Sequence, residues 1–358
     1  MVPLNDLRRR IAACQPEMGA AVARVLASGR LLLGPELEAF ERDFAAYVGR
    51  RFAVGVSSGT DAISLSLAGL GVGPGDEVVV PAFTAVPTLA AVCALGAIPV
   101  PVDVDAETGA IDPAAVRAAL GARTRAIVPV HLYGRPAEEE IGELAAFGLP
   151  VVDDAAHAHG ALRGGQTAAA AYSFYPTKNL GGIGDGGAVV TDDAALADKV
   201  RLLRHHGMRE LYVHEEIATN ARMSEIEAAG LRVGLARLDA GNARRRAIAA
   251  RYRDAAPGLR WHVGHPGHVY HLCVVRVGDR EAFRASVGFE TGVHYPRAAT
   301  RQPAYLRFAR FACPRAEAWA AECVSLPCFP ELSDEEVAEV CGLLAAVGGA
   351  AGAGSAVA

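Results

Sequence analysis

From about residue 36 to 240, short runs of β-branched and other apolar residues alternate with amphipathic stretches of helical spacing, and this alternation restricts the fold more than any other feature. PELEAFERDFAAYV gives way to FAVGV, GTDAISLSLAGL to EVVV, and a helical stretch near 86–95 to IPVPV. A helix near 113–120 then precedes RAIVPV, and another precedes PVV. Strands separated by helices can pair side by side only through crossovers, so the pattern predicts an α/β fold with a mostly parallel sheet covered by helices. From roughly residue 245 the pattern changes to strands such as HLCVVRV and helices such as SDEEVAEVCGLLAAV, the latter opened by Ser333 with Glu336 three residues on. A chain of 358 residues exceeds what one core supports. The expected division is a large α/β domain over 1–240, a smaller α+β domain over 241–347, and a low-complexity tail, 348–358, without structure.

The charge balance narrows the partners. A net charge of -5, with no basic block beyond Arg244, Arg245 and Arg246, gives no footprint for nucleic acid and directs attention to small molecules and other subunits. The apolar runs are broken by Gly, Pro or charge, and MVPLNDLRRR does not lead into an apolar stretch, so neither membrane insertion nor export is expected. Seven cysteines without a CxxC pair read as reduced thiols, which places the protein in the cytoplasm.

In open α/β sheets, ligands collect at the carboxyl ends of strands. There the chain carries Ser57, Ser58, Gly59 and Thr60 after Val56, His131 after Val130, Asp153, Asp154 and His157 after Val152, and Ser173 to Lys178 around Phe174. SSGTDA opens a helix whose free N–H groups suit a phosphate, although an ordinary hydroxyl-capped helix has the same pattern. Asp153 and Asp154 put carboxylates at a strand end or simply cap the turn. His157 and His159 are available as metal ligands, but no third ligand stands at a zinc-like spacing, and no metal is expected. Phe83, in PAFTAVPT, is either a ring-stacking residue or a core aromatic.

Lysine usage is unusual. The chain has two lysines, Lys178 and Lys199, among 35 basic residues. Arginine cannot lose its proton in a protein, whereas lysine can and then attacks a carbonyl, so a lysine kept here has a use arginine cannot serve. Lys199 lies in the amphipathic ALADKVRLLR and reads as surface charge. Lys178 follows a strand in SFYPTKNLGGIGDGGAVVT, where the alternative is an exposed lysine on a hairpin. Together these signals provide what pyridoxal phosphate needs: a Schiff-base lysine, a phosphate cradle, an aromatic for the ring face and a carboxylate for the ring nitrogen.

At this point the chain resembles the sugar aminotransferases of the DegT/DnrJ/EryC1/StrS family, from SGRLLLGPELEAFE to SLPCFPELSDEE, with SFYPTKNLG..GDGG as the specific block. The resemblance implies a fold type I transferase related to aspartate aminotransferase. It implies that Lys178 bonds the cofactor covalently, Asp154 pairs with the pyridine nitrogen, His157 stands beside the phenolic oxygen, and Phe83 stacks on the ring. Gly59, Thr60 and Ser173 would bind the phosphate. Asn220 would reach the phosphate of a neighbouring subunit's cofactor, which makes a homodimer with shared sites; the alternative is that Asn220 caps a helix starting near Ser224. His294, Tyr295 and Arg297 would touch substrate, or serve as ordinary surface and core. The implied reaction moves an amino group from L-glutamate to a nucleotide-linked keto sugar, a dTDP-3-keto-6-deoxyhexose of an antibiotic pathway. Runner-up readings are an aminocyclitol ketone as acceptor, a keto-sugar dehydratase using pyridoxamine phosphate, which would carry histidine at the lysine position, and a noncatalytic sensor. Two stretches depart from the family: Leu31 and Leu32 replace an aromatic before LGPE, and Thr300 replaces a second histidine in HYPRAATRQPAY.

Overall fold

The structure, a computed structural model, describes the backbone of residues 1–353 and the side chains of residues 1–347. Seven strands form the large sheet: β1 (Phe52–Val56), β2 (Glu77–Pro81), β3 (Ile98–Val102), β4 (Thr124–Ile127), β5 (Val152–Asp154), β6 (Ala169–Ser173) and β7 (Gly187–Thr191). The order β3-β2-β4 joins β5-β6-β7-β1 through parallel bridges between Ile127 and Val151 and between Val130 and Asp154. Every neighbouring pair is parallel except those of β7, which runs antiparallel to β1 and β6. The alternation of apolar runs and helical stretches therefore reads correctly as a mostly parallel sheet. β2 and β7 are buried at every position, as expected of strands covered on both faces.

Helices α1 (Leu7–Ser28), α2 (Pro35–Val48), α3 (Gly59–Gly69), α4 (Val86–Ala94), α5 (Pro113–Ala119), α6 (Glu138–Ala145), α7 (Ala194–Leu203) and α8 (Glu225–Leu235) accompany the sheet. Their starts follow from local chemistry. Ser58 caps α3 by accepting the Asp61 N–H (3.0 Å) and Ser224 caps α8 by accepting that of Glu227 (3.1 Å). α2 starts with Pro35 after Gly34 and takes its cap from elsewhere: the buried Glu225 carboxylate accepts the N–H groups of Gly34 (2.8 Å), Glu36 (2.8 Å) and Leu37 (3.1 Å). An exposed hairpin, β8 (Met208–Glu210) and β9 (Val213–His214), precedes α8.

The remainder contains α9 (Leu238–Ala255), β10 (Arg260–Trp261), β11 (Cys273–Arg276), α10 (Arg280–Ser286), α11 (Pro314–Glu322), β12 (Cys323–Leu326) and α12 (Asp334–Ala353). β10, β11 and β12 make an antiparallel sheet whose core includes Ile248, Tyr252, Val275, Phe329 and Val340. Ser333 and Glu336 form the anticipated reciprocal cap, Ser333 Oγ accepting the Glu336 N–H (3.1 Å) and the Glu336 carboxylate accepting the Ser333 N–H (2.9 Å). α12 extends to Ala353, and the rest of the expected tail, 354–358, lies outside the described residues. Among the described residues no helix is long and apolar enough to cross a membrane.

Candidate active site

The carboxyl ends of β1, β5 and β6 converge, and each delivers a different group. After β1, α3 points its N-terminus at β6, where Ser173 stands: a Cβ added to Gly59 would lie 2.5 Å from Ser173 Cβ and 3.1 Å from its Oγ. Glycine is required there because a side chain would fill the space between hydroxyl and helix. The Asp61 N–H is taken by the Ser58 cap, while those of Gly59 and Thr60 meet no acceptor among the described residues. A free pair of N–H groups, a helix dipole and a serine form a cradle of the size and polarity of a phosphate.

β5 delivers two aspartates to opposite faces, as its two-residue period demands. Asp154, 5 % exposed, accepts from Thr88 Oγ1 (2.8 Å) and from the Ala156 N–H (3.1 Å). Burial raises its pKa, opposed by those two hydrogen bonds and by the Lys178 charge. Asp153 instead accepts from Thr167 Oγ1 (2.7 Å), lies 3.9 Å from His131 Nε2, and lines a separate cavity of about 740 Å3. The carboxylate facing the lysine is therefore Asp154. His157, one turn later, is buried and accepts the Tyr133 N–H at Nδ1 (3.2 Å), so the neutral ring carries its hydrogen on Nε2, where the Tyr295 hydroxyl lies 3.4 Å away. Burial, with the nearby Lys178, His294 and His159, holds its pKa well below the ordinary value.

Lys178 lies between the antiparallel strands β6 and β7, so the hairpin setting is real, but the side chain is half-buried and faces a cleft of about 290 Å3 with His157, His271, His294 and Tyr295. Burial lowers its pKa from 10.5 to about 8, with Asp154 pulling upward. Lys199 behaves as surface charge, paired with Glu216. The turn carrying Lys178 is held from three sides. Arg10 of α1 donates to the carbonyls of Pro176, Lys178 and Gly181. The Glu227 carboxylate accepts the N–H groups of Ile183 (3.2 Å) and Gly184 (2.9 Å). Asn179 donates to Asn242 Oδ1 (2.8 Å) and to the Val269 carbonyl (3.0 Å).

The other expected residues are dispersed around this centre. Phe83 is buried, stacked on Trp319 (centroids 5.7 Å apart, 27°) and edge-on to Tyr295 (6.3 Å). His294 lines the cleft with Nδ1 2.8 Å from Ser325 Oγ, and burial near Lys178 lowers its pKa to about 4. Arg297 is exposed. Asn220 is exposed and accepts from Arg222 Nε (2.8 Å), while the next residue, Ala221, accepts the Ser57 N–H (2.9 Å) beside the cradle. Ser224, not Asn220, caps α8. Of the departures from the family pattern, Leu31 and Leu32 are exposed and Thr300 is buried. Among the described residues no three His, Cys, Asp or Glu side chains gather to hold a metal ion.

Sequence reasoning missed Thr88, Arg10 and three further residues lining the Lys178 cleft, Asn5, Arg245 and His271. Thr88 had a signal, a hydroxyl just beyond the strand end in PAFTAVPT. Arg10 and Arg245 come from helices, Asn5 from the amino-terminal segment and His271 from the bend before β11, and none carries a local mark.

The family model for the DegT/DnrJ/EryC1/StrS aminotransferase family matches residues 13–345. The chain belongs to this family. It is 47% identical over 357 residues to the dTDP-3-amino-3,4,6-trideoxy-alpha-D-glucose transaminase of Streptomyces venezuelae, covering 95% of this chain and 94% of that protein. The crystal structure of S. venezuelae DesV in complex with a ketimine intermediate superposes with a TM-score of 0.93 at 46% identity, over 97% of this chain and 98% of that one. NtdA from Bacillus subtilis with bound cofactor PMP gives 0.91 at 30% identity, over 97% and 85%. The chain is thus an aminotransferase of a pyridoxal-phosphate-dependent family. The cradle at Gly59 and Ser173, the low-pKa amine of Lys178 and the buried Asp154 carboxylate fit that cofactor.

Proposed function

We propose that this aminotransferase moves an amino group from L-glutamate to a nucleotide-linked keto sugar, a dTDP-linked 3-keto-6-deoxyhexose, and works as a homodimer with shared sites. The observation that carries the reading is the Lys178 amine, whose pKa of about 8 leaves a sizeable neutral, nucleophilic fraction near neutral pH. The likeness to an enzyme named for a dTDP-linked 3-amino sugar supports the acceptor class. A lysine at this position argues against the dehydratase reading, and an assembled cleft argues against a noncatalytic sensor.

Bound here, pyridoxal phosphate supplies an electron-accepting ring for the carbon that loses its proton. Lys178 has two tasks: it anchors the cofactor, and its released amine takes the proton from the substrate carbon and returns it on the other side of the transfer. Asp154, oriented by Thr88 and the Ala156 N–H, would pair with the ring nitrogen, whose positive charge would keep the buried carboxylate ionised. His157 would offer its Nε2–H to the phenolic oxygen, with the tautomer set by the Tyr133 N–H. Gly59, Thr60 and Ser173 would hold the phosphate, and Phe83 would back the ring from its place against Trp319 and Tyr295. His294 and Tyr295 would meet the substrate at the cleft wall, and Arg297, exposed two residues on from Tyr295, would contact its outer part.

The hairpin supports the dimer. Leu211, Tyr212 and Ile217 are 75%, 83% and 104% exposed, an apolar group that a second copy of the chain would cover, and they stand just before Asn220. Incubating the purified enzyme with L-glutamate and a panel of dTDP- and UDP-linked 3-keto and 4-keto sugars, with mass spectrometry of the products, tests the acceptor. The dTDP-3-keto sugar should gain an amino group fastest. Turnover of a keto-inositol in preference to every nucleotide sugar would overturn the assignment.

A further inference from the structure

Five arginines among the described residues are buried: Arg50, Arg135, Arg204, Arg245 and Arg276. Four of them hold a carboxylate. Arg50 pairs with Asp192 (3.0 Å), Arg135 with Glu140 (3.1 Å), Arg204 with Glu41, and Arg276 with Glu322 (2.7 Å). Arg245 has none within 4.0 Å among the described residues, although the adjacent Arg244 pairs with Asp334 at 2.9 Å. Its Nη1 donates to the main-chain carbonyls of Cys328 and Tyr270, the latter at 3.4 Å, and its other guanidinium donors meet no protein acceptor among the described residues. A buried cation without a counter-charge is unfavourable unless something else brings one.

Arg245 lines the same cleft as Lys178, His157, His271 and His294. The three imidazoles are held neutral there by burial, and the Arg10 guanidinium is occupied by the carbonyls of the lysine turn. Besides the lysine itself, Arg245 is the permanent positive charge among the cleft's described lining residues. We propose that Arg245 binds a carboxylate of the amino donor. The inference rests on the amino-acid donor proposed above. The rival ligand for such a cation is the diphosphate of the acceptor. The α-carboxylate of an amino acid is borne on the carbon that must reach the Lys178 amine, and Arg245 lines the cleft with that amine, whereas the diphosphate of a nucleotide sugar is separated from its keto carbon by the sugar ring. A planar guanidinium also accepts a carboxylate through two parallel hydrogen bonds.

The test uses the holoenzyme and two substitutions. Arg245→Gln keeps a donor for the Cys328 carbonyl and removes the charge; Arg245→Lys keeps the charge and removes the fork. The Kd of glutarate, a dicarboxylate with no amino group to react, and the Kd of dTDP are measured by calorimetry. Cofactor absorbance and melting temperature are recorded before any ligand is added. The glutarate Kd should rise at least tenfold in the Gln variant and less in the Lys variant, with dTDP binding and cofactor absorbance as in the wild type. Single-turnover absorbance changes with L-glutamate and L-alanine then identify the group. A weakening shared by both donors assigns the α-carboxylate, and one confined to glutamate assigns the side chain; either supports the inference. An unchanged glutarate Kd with normal cofactor absorbance overturns it, and so does an equal loss of dTDP affinity. A wild-type enzyme whose cofactor no amino acid converts refutes the donor reading itself, before any variant is made. If the Gln variant does not fold, the Lys variant carries the same comparison.

Discussion

The buried amine of Lys178 should be measurable as a stability cost in the cofactor-free protein. Its cleft lowers the pKa from 10.5 to about 8, whereas in the unfolded chain the amine titrates at the ordinary value. Between pH 8 and 10.5 the unfolded chain therefore holds a proton that the folded chain has released, and stability rises with pH across that window. Below about pH 8 both forms are protonated and the folded state bears the full cost of the enclosed ammonium. The fall from 10.5 to about 8 is worth about 3 kcal/mol at 1.36 kcal/mol per pH unit. The side chain is only half-buried, so solvent screening reduces this to about 2 kcal/mol. Lys178→Met retains the aliphatic stem and removes the amine. At about 2 °C per kcal/mol for a chain of this size, the stripped Met variant should melt roughly 4 °C above the stripped wild type at pH 7. The gap should close by pH 10.5. Differential scanning fluorimetry across pH 6.5–10.5 is sufficient, because groups that do not interact with Lys178 cancel in the difference. Equal melting temperatures at pH 7, or a gap that does not change with pH, would show that the amine is solvated and that the argument for its reactivity is wrong.

Asp154→Asn should retain cofactor absorbance and lose several powers of ten in turnover, because an amide cannot keep the ring nitrogen protonated, while Asp153→Asn, which lines the other cavity, should stay within about tenfold of wild type; the reverse ranking would place the carboxylate one residue off. His157, His268 and His271 are held well below the ordinary pKa, His262 and His294 near 4 and His159 near 3, all chiefly by burial. The unfolded chain takes up protons near pH 6.5 that the folded chain refuses, so the melting temperature should fall as pH drops from 6.5 towards 4, and a flat profile down to pH 5 would contradict this. Mixing Lys178→Ala with Asn220→Ala plus Arg222→Ala should restore activity after subunit exchange, because a shared-site heterodimer has one undamaged site; absence of recovery would mean that each chain builds its own site.

Much of the large domain was legible because its signals are local. Period and apolar run length specify strand against helix, and strand ends point to where ligands bind, so Gly59, the pair Asp153 and Asp154, and Lys178 stand out by place and residue type, while their roles come from the family resemblance. The antiparallel course of β7 was not legible. Its run GAVVT looks like any buried strand, and only the short glycine-rich connection from β6, which has no room for a crossover helix, hints at the reversal. Phe83 shows the limit of residue-type reasoning. An aromatic at a strand end served equally well as a stacking ring or as core, and the structure packs it on Trp319, some 230 positions away. Asn220 shows the converse: its capping alternative is removed by one hydrogen bond, because Ser224 already takes that position at α8.

The residues that escaped notice share a physical reason. Asp154 and Lys178 act at the ends of their own strands, but the groups that set their surroundings arrive through tertiary packing: Arg10 from the first helix onto three carbonyls of the lysine turn, Asn242 from α9 onto Asn179, and Arg245 from the same helix into the cleft. In the sequence Arg245 is the middle member of an arginine triplet and looks like solvated charge. Its neighbours illustrate how little the letters distinguish, since Arg244 pairs at the surface with Asp334 and Arg246 is exposed. One helical step of 100° separates a surface ion pair from a buried, unpaired guanidinium. Helical phase against the core, set by the apolar positions Ile248, Ala249 and Tyr252, decides which of the three arginines turns inward. The chain uses arginine for nearly every positive charge, so composition marks the lysine that must lose a proton but cannot mark the arginine that must keep one.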